Sequence, residues 1–544
     1  MKKLAKKNLT DMYTLTPLQQ GILFHYIQDP GSGIYFEQLS LEISGDIAVD
    51  IYKKAWGVVV ATNEMLRTVF RWKKMEYPHQ VILKEHPHQP RYHDLTGSDA
   101  EGTGLTSQRE NLRRQDRDEK FDLEEVPFRV TLYKIGEHQY EMIISHHHIL
   151  YDGWSTGIIL KEFFAAYDAL SRGEPIDASR LTSKSKFKEF VKWQESRDKT
   201  GQGEFWKAYL QGYDTPTGIP FKKAGENEAE CNRWASAVIS FSREDTARFV
   251  EFSRSQKITL SALLYTAWGI LLMRYNNTGD VVFGTTVSGR SAKIKDIEDM
   301  VGLFINTVPL RVQIEPTGTG SEKIDRLIAR INHDMQIRGA YENTPLVEIK
   351  EYSCLGRDNE FFDTIVVIEN YPLDQRLKQQ KNRFTIDSYS IFELTNYDLT
   401  VSITISDEIA VNFIYSRSLY EEEAVRRLAH HFTSVLEDIS VNPGKMPQQV
   451  ILLSEDEKRQ ILVDFNKTRA DYPGDEKIHR LFIGQAARIP DRMAVVGSGQ
   501  PAAGKNEAMH LTYGELAKQV GGMAGRLKEE GLSRGDIAGI MLER

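Results

Sequence analysis

The spacing of hydrophobic positions along the chain predicts an alternation of strands and helices. Apolar and polar residues alternate over residues 38–43, which is typical of a strand with one buried face. Apolar residues recur at helical spacing over residues 16–28 and 155–171, and Thr16 is placed to cap the first helix with Pro17 in its first turn. Similar patterns predict helices at 48–63, 187–193, 205–210, 260–275, 321–338 and 420–438, strands at 66–72, 128–135, 140–149, 280–285 and 362–368, and a hairpin over 399–415. This interspersion in both halves of the chain favours two layered α/β lobes.

Turn-forming residues divide this pattern into four parts. The first break lies at residues 173–175, and residues 443–477 are rich in turn-forming and charged residues. A new pattern then predicts a helix at 478–487, a strand at 493–496, a helix at 513–530, and an apolar strand after Asp536. These last residues are too few for an ordinary α/β domain. The predicted parts are an N-terminal lobe (1–174), a C-terminal lobe (175–442), a linker (443–477) and a C-terminal α/β fragment (478–544).

Composition argues against nucleic-acid and membrane partners. Hydrophobic residues make up 40% and charged residues 27% of the 544, which is typical of a globular protein. The net charge is −8 without a basic stripe, and no run reaches the ~18 apolar residues of a membrane span. The lysine-rich residues 1–10 are either a solvated tail or a short docking segment, not a signal peptide. Cys231 and Cys354 form no CxxC pair, so we expect no disulfide framework and no thiolate metal site, as suits a cytoplasmic protein.

Three consecutive histidines, His146, His147 and His148, lie at the end of an apolar run. Because side chains alternate along a strand, His146 and His148 should share one face and His147 should lie on the other. A metal site would therefore need a ligand from elsewhere, such as a carboxylate. One interpretation is that the histidines are hydrogen-bonded into a core. The other is that an imidazole at a cleft transfers protons near neutral pH.

Asp152 and Gly153 follow the histidines closely and favour the second interpretation. Asp152 can cap a helix that starts near Ser155 or pair with a buried arginine. Gly153 can adopt the positive φ of a tight turn, which would fix the direction of the last histidine. HxxxD patterns are found in many acyltransferases, so this segment indicates acyl transfer with only moderate specificity.

His147, His148, Asp152 and Gly153 form an HHxxxDG motif that resembles the signature of condensation domains of nonribosomal peptide synthetases. Other segments resemble further motifs of that family in the same order, with Asn63 where the family often has histidine. These segments are residues 15–25, 63–70, 301–309 and 366–372. The resemblance covers about residues 11–450.

The resemblance implies two chloramphenicol-acetyltransferase-like lobes in a V-shaped pseudo-dimer, with the active site in a tunnel between them. It implies that His148 is the catalytic residue, and it implies no metal. The supporting residues would be His147, Asp152, Gly153, Arg290 and Arg67, with Asp152 paired to Arg290. The residues near the tunnel, which the backbone of Gly153 would line, are Trp154, Ser155 and Asn306.

The reaction implied by the resemblance is peptide bond formation. The amine of an aminoacyl thioester on a downstream carrier domain would attack a peptidyl thioester on an upstream carrier domain. The phosphopantetheine arms of both carriers would be substrates, and the chain itself would bind no cofactor. His148 would either deprotonate the amine or position it and stabilise the charged intermediate.

The subtype implied is a domain that accepts a D-residue donor and an L-aminoacyl acceptor. Residues 19–25 and 368–372 resemble the subunit-leading domains of tyrocidine- and surfactin-type synthetases. In such domains residues 1–25 would include part of a docking interface with an upstream synthetase. The paired-aspartate motif of heterocyclisation domains is not seen.

The last residues resemble the start of an adenylation domain, mainly at 479–482 and 511–516. The Gly-rich phosphate loop of that family is not reached before Arg544, so we expect no use of ATP. An adenylation start directly after the domain also argues against an epimerisation domain. Two alternatives remain, which are a catalytically silent docking module of the same fold and an acyltransferase that uses acyl-CoA.

Overall fold

The computed structural model describes residues 6–86, 89–96, 105–175, 184–223, 234–317, 320–355, 360–369, 384–471, 474–497 and 509–541. The chain divides into two compact units, Met1–Ser454 and Glu455–Arg544, and the division falls within the stretch predicted as a linker. Cys231 and residues 370–372 of the predicted motif at 366–372 lie outside the described residues. Cys354 is a free, exposed thiol.

The first unit contains helices and strands in alternation, as the pattern predicts. Its helices are α1 (Pro17–Gln28), α2 (Val49–Thr62), α3 (Leu105–Asp118), α4 (Gly153–Ser171), α5 (Phe187–Glu195), α6 (Lys199–Tyr209), α7 (Arg243–Ser255), α8 (Leu260–Asn276), α9 (Ile324–Arg338), α10 (Leu346–Tyr352) and α11 (Glu422–Val441). Its strands are β1 (Leu9–Thr14), β2 (Phe36–Gly45), β3 (Thr68–Arg71), β4 (His79–Leu83), β5 (Arg91–Asp94), β6 (Phe128–Gly136), β7 (Gln139–His147), β8 (Trp234–Phe241), β9 (Asp280–Val287), β10 (Asn306–Gln313), β11 (Pro316–Thr317), β12 (Gly320–Ser321), β13 (Thr364–Glu369), β14 (Phe384–Glu393), β15 (Leu399–Ile405) and β16 (Ile409–Ser416).

The first lobe is built on a five-stranded sheet in the order β14-β2-β7-β6-β5. β6 and β7, which match the strands predicted at 128–135 and 140–149, pair antiparallel, and β7 ends at His147. Helices α2 and α4 pack together, and Trp56 of α2 stacks on Phe163 of α4 with ring centroids 4.7 Å apart. A small three-stranded sheet, β1-β4-β3, completes this lobe.

Helix α1 holds the chain that follows the histidines. Its N-terminus is closed by reciprocal hydrogen bonds, since the Thr16 hydroxyl accepts from the Gln19 N–H and the Gln19 side chain accepts from the Thr16 N–H. The same buried Gln19 amide donates to the Ile149 carbonyl at 3.0 Å. Gln19, which belongs to the segment 15–25 that resembles a family motif, therefore supports the histidine segment directly.

The second lobe is built on a six-stranded sheet in the order β10-β9-β13-β15-β16-β8. Helix α8 is apolar on nearly all sides and lies buried in the core of this lobe, as such helices must. Among the described residues, no single helix has the length and apolar character needed to cross a membrane. The pair α7 and α8 meets those criteria together but bends by 102° at its break.

Segments from later in the chain complete the first lobe. β14 belongs to the second half of the chain but adds to the edge of the first lobe's sheet by pairing antiparallel with β2. Phe304 and Phe187, which also come from beyond the predicted break, lie in the first lobe's core, and their rings meet edge to face. The predicted two-lobe α/β fold is confirmed, but the first core draws on residues beyond the predicted break at 173–175.

The second unit is small and follows the predicted pattern only in part. Its elements are α12 (Glu455–Arg459), a π-helical turn (Gln460–Asp464), α13 (Ile478–Arg488), β17 (Met493–Gly497), β18 (Met509–Thr512) and α14 (Tyr513–Glu529). β18 pairs with β17 and was not predicted. The strand predicted after Asp536 is wrong for the described residues up to 541, where Ile537 and Ile540 are almost fully exposed and pair with no strand.

Candidate active site

A cavity of about 970 Å³ is lined by residues from both lobes of the first unit. His148 and Gly153 line it from the first lobe, and Thr286 and Asn306 line it from the second. The cavity therefore lies between the two lobes.

Glu37 of β2 contacts both His146, near the end of β7, and His148, which directly follows this strand. One of its carboxylate oxygens contacts Nδ1 of His148, and the other lies 2.9 Å from Nε2 of His146. Tyr151 stacks on the His146 ring with ring centroids 3.7 Å apart. The alternation predicted for the three histidines is confirmed. Because Glu37 occupies Nδ1 of His148, Nε2 is the ring nitrogen that can contact a molecule in the cavity.

The carboxylate of Glu37 changes the protonation of His148. Burial acts to lower the pKa of His148, but the charge and hydrogen bond of Glu37 raise it, and the resulting pKa is about 9. Burial acts to raise the pKa of Glu37, but the two imidazoles lower it below its ordinary value. At neutral pH the pair is therefore an imidazolium next to a carboxylate.

A second carboxyl group lies beside this pair. Glu393 of β14 is directly opposite Glu37 in the register of the sheet, and both line the cavity. Burial raises the pKa of Glu393 to about 8, with further contributions from the charges of Glu37 and Glu369. Glu393 is therefore mostly protonated at neutral pH.

His147 lies on the opposite face from Glu37. Its ring meets Tyr26 edge to face, and its Nδ1 accepts from the Ile149 N–H at 3.3 Å. Burial lowers the pKa of His147 to about 3, helped by the two neighbouring histidines. This ring is therefore neutral and packed, which agrees with the supporting position expected for it.

Tyr35 holds the backbone of His148 and is itself in an unusual conformation. Its φ is +65°, a left-handed value that is rare for a bulky residue. Its carbonyl accepts from the His148 N–H at 2.8 Å, and its hydroxyl donates to Asn396 and lies 2.8 Å from Nδ1 of His25. Strained residues often cluster at functional sites, and this one links the histidine to a residue of the second lobe.

Asp152 joins the histidine loop to the second lobe. One of its oxygens accepts from the Ser155 N–H at 3.0 Å and from Nη2 of Arg290 at 3.1 Å. The other accepts from the Phe304 N–H at 3.0 Å. Asp152 and Arg290 are both buried, so the two alternatives drawn for Asp152, a helix cap and an arginine partner, are both present.

Gly153 and Asn306 line the cavity, as expected, but the backbone of Gly153 differs from expectation. Gly153 is the first residue of α4 and does not have a positive φ. The reason is that Asp152, in an extended conformation, already makes the turn and caps the helix. Asn306 is fixed by donating from its side-chain amide to the Glu342 and Thr344 carbonyls.

Three other predicted site residues are not among those lining the cavity. The Ser155 hydroxyl points into the Asp152 cluster, where it donates to Asp152 and receives from Arg290. The Trp154 indole donates to the Glu298 carbonyl at 3.1 Å. Arg67 donates to the Leu83 carbonyl and supports the small sheet of the first lobe.

Among the described residues, Glu37, His146 and His148 could hold a metal ion, since their ligand atoms lie within 4.8 Å of one another. Ligands bound tetrahedrally to zinc at ~2.0 Å lie ~3.3 Å apart, whereas Glu37 and His146 are 2.9 Å apart. That spacing fits a direct contact between the carboxylate and the imidazole better. We therefore interpret the cluster as a carboxylate shared by two imidazoles.

The sequence alone did not identify Glu37, Glu393 or Tyr35. Glu37 has a signal, because it has the same parity along β2 as the buried Leu39 and Leu41 and is a charge on an apolar face. No local signal in the sequence points to Glu393, because its place opposite Glu37 depends on the pairing of β14 with the distant strand β2.

The comparison with known families agrees with this geometry. The family model described as "Condensation domain" matches residues 9–462. The chain belongs to the condensation domain family. Condensation domains are acyltransferases that form amide bonds in nonribosomal peptide synthetases.

Known relatives of the chain are much longer proteins. Gramicidin S synthase 2 of Brevibacillus brevis is 34% identical over 549 residues, which cover 100% of this chain and 12% of the relative. Tyrocidine synthase 2 of Brevibacillus parabrevis is also 34% identical over 549 residues, covering 100% of this chain and 15% of the relative. The chain thus spans less than a sixth of the length of these proteins.

A solved structure shares the fold. It is a four-domain nonribosomal peptide synthetase bound to AMP and glycine, with a TM-score of 0.73 and 17% sequence identity. The match covers 97% of this chain and 39% of that chain.

Proposed function

We propose that this condensation domain forms a peptide bond between two carrier-bound thioesters, with His148 as its catalytic residue. The amine of the acceptor aminoacyl thioester attacks the carbonyl of the donor peptidyl thioester. A C–N bond forms, the C–S bond breaks, and the proton lost by the amine is balanced by the one gained by the leaving thiolate. The phosphopantetheine arms of the two carriers are substrates in this reaction.

The observation that carries this proposal is the position of His148. It belongs to the HHxxxDG motif and lines a cavity of about 970 Å³ that both lobes form. Both a donor and an acceptor must reach one imidazole, and a cavity walled by two lobes gives each of them room. Aligning two tethered reactants can lower the barrier by ~7–11 kcal/mol. General acid–base catalysis typically raises the rate by ~10²–10⁴-fold, which corresponds to only ~3–5 kcal/mol.

The finer assignments belong to this proposal. The resemblance of residues 19–25 and 368–372 to subunit-leading domains supports a D-residue donor and an L-aminoacyl acceptor, and it also supports upstream and downstream carrier partners. The second unit would be the start of an adenylation domain, because residues 479–482 and 511–516 resemble that family. A cytoplasmic location is part of the same proposal.

One assay tests this function against its alternatives. The chain is mixed with a donor carrier loaded with a D-ended or L-ended peptide and with a loaded acceptor carrier, and the elongated thioester is detected by mass spectrometry. Product from the D-ended donor alone supports the full proposal, and product from both donors supports the reaction without the stereochemical preference. Product from free acyl-CoA would instead identify an acyl-CoA-dependent acyltransferase, and the absence of product in all arms would identify a silent docking module.

A pair of histidine variants isolates the role of His148. His148→Ala should lower single-turnover product formation by at least ~10²-fold if proton handling is part of catalysis. His138→Ala is the matched control, because His138 is an exposed histidine in the turn between β6 and β7. Near-normal turnover by a folded His148→Ala protein would refute the assignment.

A further inference from the structure

We propose that Glu37 is a positioning residue that fixes the ring of His148 through Nδ1 and thereby presents Nε2 to the reacting groups. This inference deepens the proposed function and rests on it for its kinetic part. In this proposal Glu37 lines the cavity but does not contact the reacting groups. It acts through the histidine.

The carboxylate of Glu37 bridges the rings of His146 and His148. Glu37 contacts Nδ1 of His148 with one oxygen and lies 2.9 Å from His146 with the other, so its carboxylate plane is held at both ends. His146 is in turn held by its stack on the buried Tyr151. The backbone of His148 is held separately by the Tyr35 carbonyl, so that both the ring and the main chain of this residue are fixed.

Fixing Nδ1 determines which nitrogen is available. An imidazole whose Nδ1–H donates to a carboxylate has only Nε2 left for a second partner. Nε2 then donates when the ring is charged and accepts when it is neutral. The same atom can therefore stabilise a developing negative charge on the carbonyl oxygen or the leaving sulfur, or take a proton from the amine.

The charge of Glu37 favours the donating form at neutral pH. Its contact is the main reason that the pKa of His148 is raised to about 9 against the effect of burial. The other titratable groups near His148 are His146 and His147 on β7, Glu393 on β14, Asp152 before α4, and Glu369 on β13, which acts on Glu37 and Glu393. Removing the charge at residue 37 should therefore move the titration of His148 toward ~6.5.

The first test needs no substrate. Protein with ¹³C-labelled histidine is titrated by NMR as wild type and as Glu37→Gln, with the His148 signal assigned by its absence in His148→Ala. The titration midpoint of His148 should fall in Glu37→Gln. Glu42→Gln is the matched control, because it makes the same change on the same strand at a residue that pairs with Arg109 and Arg113. An unmoved midpoint in a folded Glu37→Gln protein overturns the proposal.

The second test is the pH profile of single-turnover condensation. Wild type should lose activity as pH rises through about 9, where His148 loses its proton. In Glu37→Gln this loss should begin at a lower pH than in wild type. The variant should also be slower by at least ~10-fold at its optimum, which is a part of the ~10²–10⁴-fold that acid–base catalysis typically contributes. A Glu37→Gln protein with a lowered midpoint but an unchanged rate and profile would overturn the positioning role.

Two further variants keep the proposal testable if Glu37→Gln does not fold. Glu37→Asp keeps the charge and should retain more activity than Glu37→Gln, while its shorter reach should weaken the contact. His146→Phe keeps a ring against Tyr151 but removes one of the two partners of Glu37, and it should disorder the His148 ring without abolishing the raised midpoint. If wild type forms no product with any donor, the proposed function fails, and the titration alone decides whether Glu37 fixes His148.

Discussion

Glu37 and Glu393 lie directly opposite each other on the adjacent strands β2 and β14. Two ionised carboxylates in this position would repel each other, and the structure avoids the repulsion because Glu37 is paired with imidazoles while Glu393 keeps its proton. A mostly protonated carboxyl on β14 therefore lies opposite the ionised carboxylate of Glu37 on β2.

Glu393→Gln should reduce the dependence of stability on pH. Glu393 in the folded protein holds its proton up to about pH 8, whereas an unfolded glutamate ionises near ~4.3. Its stabilising contribution is fully present below ~4.3 and is lost as pH rises toward about 8. In wild type this carboxyl should lower the free energy of unfolding by up to ~1.4 kcal/mol for each pH unit, and the variant should lack that decrease. Urea unfolding at pH ~5 and ~7 measures the difference. An unchanged pH dependence would contradict the assignment, and Glu423→Gln is the control because Glu423 is exposed at the start of α11.

His147→Phe should make the protein more resistant to acid. Burial keeps His147 neutral with a pKa of about 3, whereas the unfolded chain binds a proton below ~6.5. The stability due to this shift is present above ~6.5 and is lost as pH falls through about 3. Phenylalanine keeps the packing on Tyr26 at the loss of one hydrogen bond, which costs ~1 kcal/mol. Guanidinium unfolding at pH ~4 and ~7 should show a smaller acid loss than wild type, and a His138→Phe control should match wild type.

Asp152→Ala should destabilise the first unit strongly. It leaves the buried Arg290 without its carboxylate and removes the cap of α4, and breaking such a pair costs ~3–5 kcal/mol. The double variant Asp152→Ala with Arg290→Met should lose less stability than the sum of the two single variants, because no charge is left unpaired. Strict additivity in chemical unfolding would show that the two groups do not interact. Glu174→Ala, which removes an exposed partner of Arg172, should leave the unfolding midpoint almost unchanged.

Gly289→Ala should also destabilise the first unit. A Cβ at residue 289 would lie 1.8 Å from the Phe304 carbonyl oxygen, and the φ of Gly289 is +66°. The backbone strain alone should cost ~1–3 kcal/mol, with the clash in addition. Gly57→Ala in α2 is the control, since a Cβ there meets nothing within 4 Å and should stabilise the helix by ~0.5–1 kcal/mol. Equal unfolding midpoints for the two variants would contradict this account.

Local patterns predicted the elements and the loop that carries His148, because helix caps and strand alternation act over a few residues. The cap made by Asp152 was also predictable, since it follows from its place before α4, whereas its pairing with Arg290 was implied only by the family resemblance. The contacts of Glu37 and the orientation of Ser155 were not predictable in the same way. They depend on which distant strand or loop packs against the site, and that choice is made by tertiary packing.

The donation of β14 to the first sheet affects how the chain can fold. β2 lies near the start of the chain and its neighbour β14 spans Phe384–Glu393, so this edge cannot be closed until most of the first unit has left the ribosome. Pairing across such a separation is slow, and until it forms β2 presents an unpaired edge that can bind another chain. During synthesis the first lobe must therefore remain exposed to aggregation until the second lobe supplies its final strand.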